Sequence, residues 1–263
     1  MGILSNKAAT ERKKRPSWFW LATEAGRAVT ELGLSIPFRS FYRSEFQGDG
    51  HPVLVMPGFM ASDTSTGPLR NFIDRLGYSA YGWELGRNYA RLQFLEALIA
   101  KVDELHEAHG QQVSLIGWSL GGVYARQVAK ERPEKIRQVM TMASPFRGIT
   151  RPNNATWIYN MLPGSKRVVQ LNQDLLKDLP LPAPVPTTAI YTKEDGIVPW
   201  EACLEAEEDE LHQNIQVRGS HLGLGVNLSV LTIVADRLQY RRENWDHFKA
   251  QNMFKDLLFY PSL

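Results

Sequence analysis

The sequence has only one cysteine, Cys203, among its 263 residues. A single thiol excludes an internal disulfide framework, and we expect it to act as a small packing residue. Long hydrophobic runs are also missing, since none reaches the roughly eighteen residues that span a bilayer. In the basic and aromatic segment at residues 12 to 21, Thr23 and Glu24 soon interrupt the apolar run, and no small-residue cleavage site follows. These absences predict a cytoplasmic protein without a signal peptide.

An excess of one charge is absent too. The chain has 30 Lys and Arg residues against 28 Asp and Glu, which gives a formal net charge of +2. No basic stripe or zinc-finger spacing accompanies it, so we expect no nucleic-acid partner. In His106-Glu107-Ala108-His109 the histidines are three residues apart, whereas the H-E-x-x-H zinc motif needs four, and we expect them at a helix C-terminus instead. No metal and no cofactor are predicted.

What the sequence does contain is a regular alternation of strand and helix patterns. Its length and its hydrophobic content of 43% indicate one globular domain with a sizeable core. Short apolar runs predict strands at about 53–56, 79–83, 113–116, 139–142, 187–191 and 215–217. Apolar spacing of three and four residues predicts helices at about 68–76, 91–108, 120–131, 166–178 and 225–239. The alternation predicts an α/β fold with a mostly parallel sheet of about six strands, helices on both faces and a ligand site at the C-terminal strand ends.

The stretch IGWSLGG, residues 116 to 122, places a serine between a strand pattern and a helix pattern. A chain that reverses this sharply forces the corner residue, Ser119, towards positive φ. Side chains two residues away would clash, which explains Gly117 and Gly121. The reversal lifts the Ser119 hydroxyl out of the sheet edge at the positive end of a helix, as a nucleophile requires. A glycine-rich turn with an incidental serine is the alternative.

A serine nucleophile needs a base and a group that orients the base. His221 is the candidate base, because it lies in a loop just after a predicted strand and before a predicted helix. Asp195 is the candidate acid, because it follows the strand TTAIYT, and Glu194 is its adjacent competitor. The order serine, acid, histidine is the one that α/β-hydrolases use. Two further histidines lie in polar segments where we expect exposure to solvent: His212 and His247.

The charge on a tetrahedral intermediate needs two hydrogen-bond donors, which together form an oxyanion hole. The N–H of Leu120, directly after the serine, is one candidate. The other is the N–H of Phe59 in the loop MPGFMASD, where Gly58 lets the backbone turn. An ordinary glycine turn with Phe59 in the core is the alternative. The segment YGWELGRN, with Trp83 and Asn88, is expected near the same sheet edge, where it either lines the site or only shapes a loop.

Four segments occur in the required order: HPVLVMPGF, GWSLGG, EDGIVPW and SHLGLGVN. Together they resemble the bacterial lipase and esterase branch of the α/β-hydrolase superfamily over about residues 51 to 239. The resemblance implies Ser119 as nucleophile, His221 as base and Asp195 as its partner. Two features depart from the pattern. Pro57 stands where many lipases carry histidine, and no strand hairpin is evident before residue 51.

We predict an N-terminal helical extension at 1–50, an α/β-hydrolase core at 51–239 and a C-terminal tail at 240–263. The long connection at about 145–184 is predicted to form a short helical lid, or else a helix packed on the core. It contains Trp157 and Met161, which we expect to bind substrate together with Met60 and Trp118. The N-terminal tryptophans either cover the domain or lie at a membrane surface.

Three function classes remain open. The leading hypothesis is a serine carboxylic-ester hydrolase of the esterase or lipase kind, acting through an acyl-enzyme on an ester or lipid with an apolar acyl chain. An acyltransferase or thioesterase would use the same triad. A binding domain that keeps the fold without catalysis is the third class, because fold does not fix function.

Overall fold

The computed structural model describes residues 16–36, 47–147, 177–249 and 260–261. The strands in these ranges are β1 (Pro52–Met56), β2 (Ser79–Gly82), β3 (Val113–Trp118), β4 (Ile136–Met142), β5 (Thr187–Tyr191) and β6 (His212–Gln216). The helices are α1 (Trp18–Ser35), α2 (Asp63–Arg75), α3 (Gln93–His109), α4 (Leu120–Glu131) and α5 (Leu228–Leu238). Short 3-10 turns lie at Pro133–Lys135, Trp200–Ala202, Leu224–Val226 and Arg242–Asn244.

The six strands form one parallel sheet in the order β2-β1-β3-β4-β5-β6. The predicted α/β fold with a parallel sheet of about six strands is confirmed. Because all strands run in the same direction, their C-terminal ends meet at one edge of the sheet. The loops that follow β1, β3, β5 and β6 therefore begin at that edge.

The core divides into two apolar layers, one on each face of the sheet. Side chains alternate along a strand, so Val53 and Val55 of β1 point to the face covered by α2 and α5. Leu54 and Met56 point to the opposite face, which α3 and α4 cover. The strand β1 is buried along its whole length, as expected for a strand covered on both sides.

Several boundaries differ from the prediction for local physical reasons. Strand β3 continues past residue 116 because Gly117 and Trp118 still pair with β4. Strand β2 ends before Trp83, whose N–H leaves the sheet and donates to the Asp63 carboxylate at 2.9 Å. Strand β6 starts earlier than predicted, because its sequence HQNIQ is mostly polar and hides the strand pattern. Helix α5 starts later, where the Asn227 side chain caps it.

Helix α1 packs against the Leu224–Val226 turn and against α5. Trp20 is partly buried and carries the guanidinium of Arg27 at 4.8 Å from its ring centroid. Trp18 is 78% exposed, so only one of these two tryptophans covers the domain. No helix in the described ranges is long and apolar enough to span a bilayer. Residues 148–176 of the predicted lid, with Trp157 and Met161, lie outside the described residues.

Candidate active site

Ser119 lies on the sharp corner between β3 and α4, with φ 52° and ψ −120°. A non-glycine residue in this region is strained, as the sequence predicts for the corner. A Cβ atom on Gly117 would overlap the backbone of Gly122, and one on Gly121 would overlap the carbonyl group of Met56. The two glycines of the motif are therefore required by close packing of α4 against the ends of β3 and β1. The corner leaves Ser119 partly exposed at the start of α4.

His221 and Asp195 form a buried pair at the same sheet edge. The imidazole Nδ1 is 2.6 Å from Asp195 Oδ2, and each residue is only 4% exposed. The other carboxylate oxygen, Oδ1, accepts the N–H groups of Ile197 and Val198, each at 2.7 Å. The loop EDGIVPW thus fixes the carboxylate through its own backbone. A neutral imidazole that donates from Nδ1 keeps Nε2 as a proton acceptor.

The charge environment of His221 favours its protonated form. Burial alone lowers the pKa of this imidazole, but the charge of Asp195 and the hydrogen bond to it raise the pKa above the usual 6.5. The Glu24 carboxylate raises this pKa further. The surroundings of His221 therefore stabilise an imidazolium.

The residue before the serine connects its corner to the histidine loop. The indole N–H of Trp118 donates to the carbonyl oxygen of His221 at 3.0 Å. The ring of Trp118 also packs so closely on Gly225 that a side chain there would clash with it. Trp118, which we expected to bind substrate, thus holds together the two loops that carry Ser119 and His221.

The other histidines are held elsewhere. The expectation of an exposed His212 is wrong, because the residue is 5% exposed and both ring nitrogens have partners. Its Nδ1 is 2.7 Å from Asp209 and its Nε2 is 2.9 Å from the carbonyl oxygen of Ala183. His212 begins β6, at the opposite edge of the sheet from Ser119. His247 is half-buried rather than exposed, with Nε2 2.7 Å from the Asp209 carbonyl oxygen.

Glu194, the competing acid, takes part in a different set of contacts. Its carboxylate lies 3.6 Å from Arg218 and 4.0 Å from Arg27. Asp195 alone of the two contacts the His221 ring. The sequence left these adjacent carboxylates as competitors, and the structure separates their partners.

The loop after β1 runs directly past the serine. A Cβ atom on Gly58 would lie 3.2 Å from the Cβ of Ser119. Asn88 is fully buried and supports this loop through two hydrogen bonds. Its side-chain amide donates to the Pro57 carbonyl oxygen at 2.9 Å, and its backbone carbonyl oxygen accepts the N–H of Met60 at 2.8 Å. The segment YGWELGRN therefore shapes this loop. Met60 is 38% exposed.

Sequence reasoning missed one group at this site, the carboxylate of Glu24 in α1. We interpreted Glu24 only as an interruption of an apolar run, yet it is 3% exposed. It accepts the backbone N–H groups of Gly196 and Leu222, which directly follow Asp195 and His221.

Sequence comparison identifies the family. A profile of the palmitoyl protein thioesterase family matches residues 52–183, which is half of the chain. The chain belongs to the palmitoyl protein thioesterase family. The part of the chain that matches the profile includes Ser119 but neither Asp195 nor His221. No curated protein matches the sequence.

Solved structures with a similar fold include several lipolytic enzymes. A structure of the metagenome-derived lipolytic enzymes LipS and LipT has a TM-score of 0.58 at 16% identity, covering 74% of this chain and 95% of that chain. Aspergillus fumigatus lipase B has a TM-score of 0.54 at 15% identity, with 73% and 53% covered. The monoacylglycerol lipase of Paleococcus ferrophilus has a TM-score of 0.52 at 14% identity, with 73% and 96% covered. These similarities confirm the α/β-hydrolase fold, and with the family match they support a hydrolase of ester bonds.

Proposed function

We propose that the protein is a serine carboxylic-ester hydrolase with Ser119, His221 and Asp195 as its triad. The observation that carries the proposal is the buried His221–Asp195 pair, which lies at the sheet edge where the strained Ser119 corner emerges. The Trp118 indole joins the two loops at 3.0 Å. A strained serine at a helix start beside a histidine–carboxylate pair is the arrangement that acyl transfer requires.

The reaction proceeds in two steps. Ser119 Oγ attacks the acyl carbon while His221 Nε2 takes its proton, and Asp195 stabilises the resulting imidazolium. The imidazolium then protonates the leaving alcohol, which leaves an acyl group on Ser119. Water, activated by the same histidine, attacks the acyl-enzyme and releases the carboxylic acid. The N–H groups of Phe59 and Leu120 stabilise the oxyanion of each tetrahedral intermediate, each at about 3 kcal/mol.

A thioester is the second candidate substrate, and the match to the palmitoyl protein thioesterase family supports it. The same steps apply with a thiol as the leaving group. Two substrates with the same acyl chain, one an oxygen ester and the other a thioester, separate the candidates through their kcat/KM values. Product analysis with added alcohol acceptors separates hydrolysis from acyl transfer.

The substrate side of the proposal is an apolar acyl chain. Met60 lies exposed in the loop that passes Ser119, and Trp157 and Met161 are assigned to the same role from the sequence. Several apolar side chains of α1 are also exposed: Trp18, Phe19, Val29 and Leu34. They support peripheral contact with a membrane, where such substrates are found. Sedimentation with anionic lipid vesicles tests this contact, and an unchanged soluble fraction would contradict it.

Labelling with a fluorophosphonate tests the catalytic proposal, since the reagent reacts with activated serines. Wild-type protein should be labelled and lose esterase activity at the same rate. The Ser119→Ala protein should fold, remain unlabelled and lack esterase activity. Near-wild-type turnover in Ser119→Ala would overturn the proposed mechanism.

A further inference from the structure

Helix α1 carries two glutamates seven residues apart, Glu24 and Glu31. Seven residues make nearly two helical turns, so the two side chains lie on the same helix face. That face is turned towards the domain, since Glu24 is 3% exposed and Glu31 is half-buried. A buried carboxylate is costly unless hydrogen bonds compensate it. The partners of these two carboxylates therefore show what the helix does.

Glu24 joins the acid loop to the base loop. Its Oε1 accepts the N–H of Gly196 at 2.9 Å, and its Oε2 accepts the N–H of Leu222 at 3.0 Å. Gly196 directly follows Asp195, and Leu222 directly follows His221. One carboxylate thus bonds to the backbone next to both members of the proposed acid–base pair.

Glu31 holds the other side of the histidine. Its Oε1 accepts the N–H of Ser220 at 2.7 Å, and its Oε2 accepts the Asn227 side-chain amide at 3.0 Å. Ser220 directly precedes His221, so the N–H groups on both sides of the histidine bond to α1. Burial raises the pKa of Glu31, although these hydrogen bonds favour its charged form.

The glycines of both loops lie where α1 makes its contacts. A Cβ atom on Gly196 would overlap the backbone of Leu21, and one on Gly223 would overlap the Glu31 carboxylate. Arg27 adds a further link, because its guanidinium donates to Glu24 Oε1 and to the Glu194 carbonyl oxygen, each at 3.0 Å. The helix is therefore closely fitted to both loops.

We propose that Glu24 and Glu31 are positioning residues, which hold the Asp195 and His221 loops in the geometry for proton transfer. The inference rests on the triad proposed above. Backbone hydrogen bonds to a rigid helix restrict both loops at the residues adjacent to the acid and the base. Displacements of about 1 Å at a catalytic centre can cost about 100-fold in rate, so such restraint contributes directly to turnover.

The proposal also has an electrostatic consequence for His221. Among the described residues, six charged groups face the two loops: Glu24, Glu31 and Arg27 from α1, Asp195 and Glu194 from the acid loop, and Arg218 from the base loop. Among these groups, Asp195 and then Glu24 raise the pKa of His221 against the effect of burial. Removal of the Glu24 charge should therefore lower that pKa.

The variant Glu24→Gln tests the proposal because it keeps the size of the side chain and replaces one acceptor oxygen by an amide donor. We expect kcat for ester cleavage to fall by about 10- to 100-fold while KM changes little. The acidic limb of kcat/KM should move to lower pH, which a general loss of stability would not cause. Glu31→Gln should lose less, because Glu31 contacts only the base loop. Glu107→Gln on the exposed side of α3 is the matched control and should behave as wild type.

A folded Glu24→Gln protein with wild-type kcat and an unmoved acidic limb would overturn the proposal. If thermal denaturation shows that Glu24→Gln does not fold, Glu24→Asp and Glu31→Gln decide the question. Glu24→Asp keeps the charge but is one methylene shorter, so it should lose kcat while its acidic limb stays in place, and wild-type kcat in both variants would refute the positioning role. Ser119→Ala separates this result from the proposed function. Activity in Ser119→Ala would refute the triad, whereas an inactive Ser119→Ala beside a wild-type Glu24→Gln would refute only the positioning role.

Discussion

Two groups of serine, histidine and aspartate lie at opposite ends of strand β3. At the N-terminal end, Ser114 Oγ is 2.9 Å from His51 Nε2, and His51 Nδ1 is 2.6 Å from Asp49. At the C-terminal end, Ser119 follows the strand, and the His221–Asp195 pair at the same sheet edge has the same nitrogen–oxygen distance of 2.6 Å. The two groups contain the same residue types, so the differences between them bear on which group fits the proposed triad.

The first difference is the charge around each aspartate. The Arg137 guanidinium donates to Asp49 Oδ2 at 2.8 Å. Among the described residues, Asp195 has no such cation on its second oxygen, Oδ1, which accepts two backbone N–H groups instead. Burial, followed by the charge of Arg137, lowers the pKa of His51 to about 4. Burial lowers the pKa of His221 as well, but the charge of Asp195, the hydrogen bond to it and the charge of Glu24 together raise that pKa above 6.5. Only His221 is therefore in an environment that stabilises an imidazolium.

The second difference is access. Ser114 and His51 are fully buried, whereas Ser119 is partly exposed at the N-terminus of α4. Partial exposure leaves Ser119 accessible from solvent, and the start of a helix carries backbone N–H groups without intrahelical acceptors. We infer that the Ser114 group stabilises the fold by satisfying buried polar atoms, and that the Ser119 group performs the chemistry.

The largest expected effect comes from substituting the two serines in turn. Ser119→Ala should lower kcat/KM for ester hydrolysis by about 10⁴-fold or more, because it removes the nucleophile. Ser114→Ala should keep wild-type kcat/KM but lower the free energy of unfolding by about 1–3 kcal/mol, since the His51 ring loses a buried partner. Steady-state kinetics measure kcat/KM, and chemical denaturation measures the free energy of unfolding. Loss of activity in a well-folded Ser114→Ala protein would remove the distinction between the two groups.

Substitution of the proposed base or acid should lower activity far more than substitution of either of the other two histidines that follow Ser119 in the sequence. His221→Ala should be nearly as damaging as Ser119→Ala, and Asp195→Asn should reduce kcat by about 10³- to 10⁴-fold, because the amide favours the wrong tautomer. His212→Ala and His247→Ala should retain most of the activity, with His212→Ala losing stability because it is buried. Kinetics on the four purified variants check this ranking. A ranking with His212 or His247 above His221 would show that the base is misassigned.

The pH dependence should report the raised pKa of His221. The base must be neutral to accept the serine proton, so kcat/KM should rise with pH and reach its plateau only above the folded pKa. Because that pKa is raised above 6.5, activity should be half-maximal at a pH above 6.5 and fall about tenfold per pH unit well below it. A titration of His51 would place the midpoint near 4 instead. Values of kcat/KM measured between about pH 4 and 8 distinguish a titration of His221 from one of His51.

The smallest expected effect concerns the acyl chain. If Trp157 contacts the chain, p-nitrophenyl esters should gain in kcat/KM from acetate to laurate by up to about 0.8 kcal/mol per buried methylene. Trp157→Ala should weaken that preference without lowering the rate on acetate. Each ester is used at concentrations below those at which it aggregates. A constant preference for acetate in both proteins would argue against an acyl-binding role for this residue.

The sequence placed Ser119 and Asp195 after strands because short apolar runs reveal β3 and β5. Before His221 it revealed only the end of β6, since most of that strand is polar. It did not predict the burial of His212, whose Nε2 meets the Ala183 carbonyl oxygen, a partner that is distant along the chain. Apolar periodicity marks which faces are buried, but it carries no information about which polar groups meet there.

The role of Glu24 was hidden for the same reason. Its partners are backbone N–H groups, which every residue except proline carries, so Gly196 and Leu222 offer no side-chain signal for the contact. The glycines of the acid and base loops were the nearest available clue, since α1 approaches the backbone closely there. The opposite error is also possible, because residue types alone would predict a triad at Ser114, His51 and Asp49.

The most direct test of the distinction between the two groups is to locate the serine that reacts. Wild-type protein is treated with a fluorophosphonate, digested and sequenced by mass spectrometry, and the same is done with Ser114→Ala. We expect a single adduct on Ser119 in both proteins, formed in parallel with the loss of esterase activity. An adduct on Ser114, or full inactivation without any adduct on Ser119, would contradict it.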